Sequence, residues 1–133
     1  MKNDVRCYSP PAFILCIIAL LLSAHALARE KRQMVRLAKI AVDSAHLESY
    51  KDLLTEEIEA SVRLEPGVLT LYAVAEKEHP THLTILEIYA DTAAYKTHLQ
   101  TLHFIKYKTG TKEMVKSLEL IAADPLVPGM KIK

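Results

Sequence analysis

A chain of 133 residues, half of them apolar and a quarter charged, with a formal charge of +1, has the size of one domain and no basic surplus for binding nucleic acid. It contains no tryptophan, and its two cysteines, Cys7 and Cys16, both lie near the amino terminus. If that terminus is removed on export, the remainder has neither a disulfide nor a thiolate metal site, so burial of apolar surface must hold it together.

Removal is what the first residues predict. Lys2 and Arg6 precede the apolar run Ala12 to Leu22, and small residues follow at Ala26 and Ala28. The run is shorter than the roughly 20 residues a membrane-spanning helix needs, whereas a basic start, a short apolar stretch and an Ala-x-Ala end mark a secretory signal. Residues 1–28 are therefore expected to be cleaved, leaving an exported domain, 29–133, with 15 basic and 15 acidic side chains and no stable membrane insertion. At this size a second copy would help to cover apolar surface.

Met34 to Val42, rich in aliphatic and β-branched residues, predicts a strand. Asp43 and Ser44 offer a cap for a helix whose apolar stripe is Leu47, Tyr50, Leu54, Ile58 and Val62, with Glu56, Glu57 and Glu59 read as a solvated face and Tyr50 as core. Glu65-Pro66-Gly67 stops that helix. Val68 to Glu76 and Thr81 to Tyr89 read as a hairpin around the turn Lys77 to Pro80. Asp91 caps a second helix with Tyr95, Leu99 and Leu102 along one side, a further helical piece runs from His103 toward Gly110, and Val115 to Ala123 forms a last strand. From about Pro125 the tail is irregular.

The order β-α-β-β-α-β is the α+β, ferredoxin-like arrangement, an antiparallel sheet with its helices on one face. Period-2 alternation sets Leu83, Ile85, Glu87 and Tyr89 against His82, Thr84, Leu86 and Ile88, and both sets are substantially apolar. Helices cover one side only, so the expectation is a homodimer closing sheet against sheet around a small-molecule cavity, with Glu87 and Tyr89 on the dimer side.

Tyr95 to Lys108 concentrates two histidines and three aromatic rings. On a continuous helix, at ~100° per residue, His98 and His103 would point ~140° apart and could not share one ligand. Either they serve different surfaces or the helix breaks between them. Other chemistries find little support. Gly67 and Gly110 are the only glycines between the signal and the tail, too few for a phosphate loop or a nucleophile elbow. His79 and His82 lack further ligands and read as surface residues, and Lys106, Lys108, Lys112 and Lys116 as a solvated face.

Pro66-Gly67 after the first helix, Glu87-x-Tyr89 ending a strand, His98, and then His103-Phe104 resemble the antibiotic biosynthesis monooxygenase family, small dimeric α/β barrels, over about Met34 to Ala123. The resemblance implies a helix break between the histidines and oxidation of a phenol or hydroquinone by O2 with no cofactor and no metal, because the substrate anion supplies the electrons. It implies His98 as base, Glu87 as an orienting group, Tyr89 or Tyr72 as donor or stacking ring, and His103 and Phe104 beside the substrate. Plain structural roles stand next to these: His98 packing at its helix end, His103 and Phe104 plugging the helix junction, Glu87 pairing with a cation across the dimer. The same family resemblance also leaves open an isomerase of a small carbonyl or sugar-like compound and a non-catalytic binding protein. Haem-degrading relatives are disfavoured because they rely on a tryptophan.

Overall fold

The computed structural model describes residues 32–127, so the expected signal segment and the end of the tail lie outside the described residues. Strand β1 (Met34–Val42) leads through a single 3-10 turn, Ser44–His46, into helix α1 (Leu47–Leu64). Strands β2 (Val68–Ala75) and β3 (His82–Tyr89) follow, then helices α2 (Thr92–His98) and α3 (Leu102–Gly110), and strand β4 (Val115–Ala123). The four strands form one antiparallel sheet in the order β2-β3-β1-β4, the ferredoxin-like arrangement. Among the described residues no helix is long and apolar enough to cross a membrane.

Asp43 caps the 3-10 turn rather than the helix itself, accepting from the Ala45 amide. In α1 the buried positions are Tyr50, Leu54, Glu57 and Ser61, while Val62 is exposed. The inward stripe therefore bends away from the aliphatic series expected, and Glu57 belongs to the interior instead of the solvated face. Its neighbour Glu56 keeps the surface role and pairs with Lys106.

Helix α1 stops short of Pro66, at Leu64, for two reasons. Proline cannot continue a helix, and it pushes the residue before it out of the helical region. Glu65 accordingly turns extended, at φ −110° and ψ 101°, which swings its side chain off the helix surface. Gly67 is needed for room rather than for an unusual backbone angle: a Cβ there would meet the Ala94 Cβ at 2.5 Å, so the turn seats the start of α2. Asp91 caps α2 by accepting from the Ala94 amide.

The core lies between β1, β3 and α1, around Ala38, Ile40, Val42, Tyr50, Leu54, Leu83 and Ile85. Strand β3 alternates with Leu83, Ile85, Glu87 and Tyr89 buried. These are the residues on the helix side, which corrects the expectation that Glu87 and Tyr89 point toward a partner's sheet. The uncovered face carries Leu37, Tyr72, Val74, Leu86 and Ile88, with Tyr72 64% exposed.

Candidate functional site

A cavity of about 450 Å³ lies between the helices and the sheet of a single chain, within the range of small-molecule sites. Ile105, Leu118 and Leu120 line it and are about half exposed, giving an apolar rim. Glu57, Glu87, Tyr89 and His98 line it and are buried, giving a polar floor. A flat organic molecule could thus enter along apolar surface and meet titratable groups at depth.

One half of that floor is built on strands. The Glu87 Oε2 atom accepts from Arg36 Nη2 at 2.6 Å, from Arg36 Nε at 3.0 Å and from the Tyr89 hydroxyl at 3.0 Å. Arg36 Nη1 donates to the Tyr95 hydroxyl at 2.8 Å, and the guanidinium lies 4.6 Å from the Tyr95 ring centroid. Register explains the assembly: Arg36 on β1 is paired directly with Glu87 on β3, so both side chains leave the same face of the sheet. Burial works against the Arg36 charge, but Glu87 and Tyr95 together outweigh it and hold the guanidinium above its ordinary range. The Tyr89 phenol is pushed up by burial and then by the Glu87 charge, so it stays protonated and donates.

Helix ends build the other half. His98 closes α2, and Thr101 separates it from α3: the Thr101 hydroxyl donates to the His98 carbonyl at 2.8 Å and accepts from the Phe104 amide at 3.4 Å, capping both pieces. This break resolves the angle between the histidines. His98 Nδ1 lies 3.0 Å and His103 Nε2 2.5 Å from the same oxygen, Glu65 Oε1. Phe104 packs edge-on against the His98 ring, with centroids 4.8 Å apart, and the Tyr89 and His103 rings lie 5.4 and 6.4 Å from it.

His98 Nε2 sits 3.6 Å from Glu57 Oε1, which accepts from the Ser61 hydroxyl at 2.7 Å. Burial raises the Glu57 carboxyl, against the Ser61 hydrogen bond and the histidine charges. Burial acts on Glu65 as well, yet the hydrogen bonds from His103 and His98 win and its carboxyl is lowered. The two acids flanking His98 are therefore held in opposite senses: one keeps its charge, the other resists it. Deeper along the wall, the Tyr50 and Tyr107 hydroxyls share a 2.6 Å hydrogen bond, and burial raises both phenols.

His98, Glu87, Tyr89 and Phe104 all line the cavity, and His103 stands behind His98 on Glu65. Tyr72 does not join them, since it points from the uncovered face of the sheet. Glu87 finds its cation within its own chain, in Arg36. Three members of the site escape sequence reasoning: Arg36, Glu57 and Glu65. Arg36 shares the period-2 face of Ala38 and Ile40, and Glu57 falls on the helical series Tyr50, Leu54, Glu57, Ser61. Both are signals of burial that their charge hides.

Residues 34–110 match the family model described as antibiotic biosynthesis monooxygenase. Among solved structures, a putative antibiotic biosynthesis monooxygenase from Bacteroides thetaiotaomicron VPI-5482 is 63% identical, with a TM-score of 0.77 over 78% of this chain and 99% of that one. A putative monooxygenase from Lactobacillus acidophilus NCFM is 26% identical, with a TM-score of 0.66 over 71% of this chain and 51% of that one. A Nitrosomonas europaea structure at 19% identity shares the fold, with a TM-score of 0.68 over 77% and 98% of the two chains. No curated protein matches the chain. With the family model spanning more than half of its length, the chain belongs to the antibiotic biosynthesis monooxygenase family.

Proposed function

We propose that the protein is a cofactor-independent monooxygenase that oxidises a small phenol or hydroquinone with O2 in the cavity between its helices and sheet. The observation that carries this reading is His98 in the cavity wall with one ring nitrogen held by Glu65. With Nδ1–H donated to that carboxylate, the Nε2 lone pair is left as the base, on the side where Glu57 also meets the cavity.

The substrate ring lies along Phe104 and the aliphatic rim, and its hydroxyl gives a proton to His98. The resulting phenolate passes one electron to O2. Recombination of the phenoxyl radical with superoxide forms a carbon–oxygen bond at a ring carbon that carries hydrogen. The peroxide takes back the proton held by His98, and loss of the ring hydrogen with cleavage of the O–O bond releases water, so one phenol and one O2 become one quinone and one water, with all electrons supplied by the substrate and His98 restored as the base. Tyr95 accepts from Arg36 and so keeps its own proton to donate to the developing oxyanion, whereas the Tyr89 proton is committed to Glu87.

In this reading two copies close their uncovered sheet faces against each other, and the domain works outside the cytoplasm after loss of residues 1–28. Sedimentation and amino-terminal sequencing of exported protein address these two points, with a dimer and an Arg29 start expected. The chemistry is tested by following oxygen uptake and product mass over a panel of phenols and hydroquinones. One O2 consumed per product that has gained one oxygen and lost two hydrogens, with turnover 10²–10⁴-fold lower in His98→Ala, is the expected result. Isomerised product without oxygen uptake would assign an isomerase instead, and unchanged turnover in His98→Ala would remove that residue from the mechanism.

A further inference from the structure

Three metal-binding side chains converge where the proposed reaction uses only one as a base. Glu65, His98 and His103 each offer a ligand atom, and the three atoms lie within 4.8 Å of one another; His98 Nδ1 and His103 Nε2 both approach Glu65 Oε1. They come from three separate pieces of chain: the extended residue after α1, the last turn of α2 and the first turn of α3. Their side chains are 12%, 3% and 17% exposed, so this is an interior cluster and unlike a chance grouping of surface acids.

The donor set is two imidazole nitrogens and one carboxylate oxygen, the three-ligand pattern that Zn²⁺ accepts while keeping a fourth position for water. Behind it stands a supporting layer. Glu57 faces the second nitrogen of His98 at 3.6 Å, just beyond hydrogen-bond range, and is itself fixed by Ser61; a slight approach completes the carboxylate–histidine–metal arrangement that sets the tautomer of a ligating imidazole. Metal–ligand distances of about 2.0–2.2 Å imply ligand separations of roughly 3.4 Å in a tetrahedral site. The 2.5 and 3.0 Å contacts to Glu65 need a small outward adjustment to reach that spacing, and the two imidazole nitrogens, within 4.8 Å of each other, close up to it.

We propose that Glu65, His98 and His103 form a site for one divalent transition-metal ion of the Zn²⁺ class. The ion takes the place of the protons that the two imidazoles donate to Glu65. Binding has a consequence that rests on the reaction proposed above: with Nδ1 on the ion, His98 carries its remaining ring proton on Nε2 and can no longer accept one from a phenol. The ion is therefore an inhibitor of that reaction.

Untagged protein, freed of metal by a chelator that is then removed, is titrated with Co²⁺ and with Zn²⁺ against a chromophoric competitor. One equivalent bound, with the visible ligand-field band of four-coordinate Co²⁺, is expected. His103→Ala and Glu65→Gln should each weaken Zn²⁺ at least 100-fold, and Glu57→Gln 10- to 100-fold with unchanged stoichiometry. His103→Gln retains a hydrogen-bond donor toward Glu65 but no ligand nitrogen, so native circular dichroism with lost binding in that variant separates ligation from folding. His79→Ala, in the exposed pair with His82, should bind as the wild type does. Absence of one-equivalent binding by the folded wild type, or binding indifferent to His103→Ala, overturns the site. Binding without any oxidase turnover would leave the metal site standing and remove the proposed reaction; turnover without binding would do the reverse.

Discussion

Both faces of this sheet carry apolar side chains, and they do opposite things with charge. The helix-covered face buries Arg36, Glu87 and Tyr89 in a connected network and opens into the cavity. The uncovered face presents Leu37, Tyr72, Leu86 and Ile88, and the charged side chains that share it, Lys39 and Glu119, are exposed. A buried ion pair is costly to desolvate and gains little over apolar packing unless its geometry is tight and its remaining atoms are satisfied. On the covered side those conditions hold, since Glu87 Oε2 has three donors, two of them from Arg36, and the Tyr95 hydroxyl takes a third N–H of Arg36. The lesson is that polarity, rather than greasiness, identifies the working face.

Substitutions on the two faces should therefore differ in kind, and the largest effect belongs to the ion pair. Glu87→Ala leaves the Arg36 guanidinium buried without its partner, and a loss of about 3–5 kcal/mol in urea unfolding is expected. Next comes Gly67→Ala, whose new methyl meets the Ala94 Cβ; displacement of α2 should cost about 1–3 kcal/mol and lower turnover by moving His98. Thr101→Val removes both caps at the helix break, and about 1 kcal/mol should be lost in thermal unfolding.

The acids around His98 give a subtler signature. Glu65 is lowered in the folded protein, so its stabilisation is present above the ordinary value near 4.5 and fades as pH falls through the lowered one. Glu57 is raised, so its contribution is full below 4.5 and is lost as pH rises through the raised value. Unfolding across pH should show Glu65→Gln less stable than wild type at neutral pH and converging with it in acid, while Glu57→Gln gains on wild type as pH rises from 4.5. Smallest of all, Tyr72→Phe on the uncovered face should leave turnover within about twofold of wild type, as a surface change remote from the site.

Much of this architecture is legible in the sequence. The switch from period 2 to period 3.6 marks the strands and α1, and Asp91, Pro66 and Gly67 mark where helices begin and stop. Within the site, His98, Glu87, Tyr89 and Phe104 are recognisable from the motif pattern. Which face they occupy is not, because β3 is apolar on both sides and alternation alone has no sign; only the placement of α1 over Leu83 and Ile85 supplies one. Arg36 and Glu57 stay hidden for a related reason. A charged side chain in a periodic series reads as an edge of the stripe until its partner from another element is in place. Glu65 is the clearest case, since its role depends on Pro66 turning it extended and on Thr101 delivering two histidines to the same oxygen.

The central claim is that the substrate binds beneath the helices and not between two sheets. It is tested most directly by nuclear magnetic resonance of the histidine and tyrosine rings during titration with a phenol under anaerobic conditions. The His98 and Tyr95 ring signals should move with saturation while those of Tyr72 stay in place. Saturable movement of Tyr72 with His98 unchanged would put the ligand on the uncovered face and contradict it.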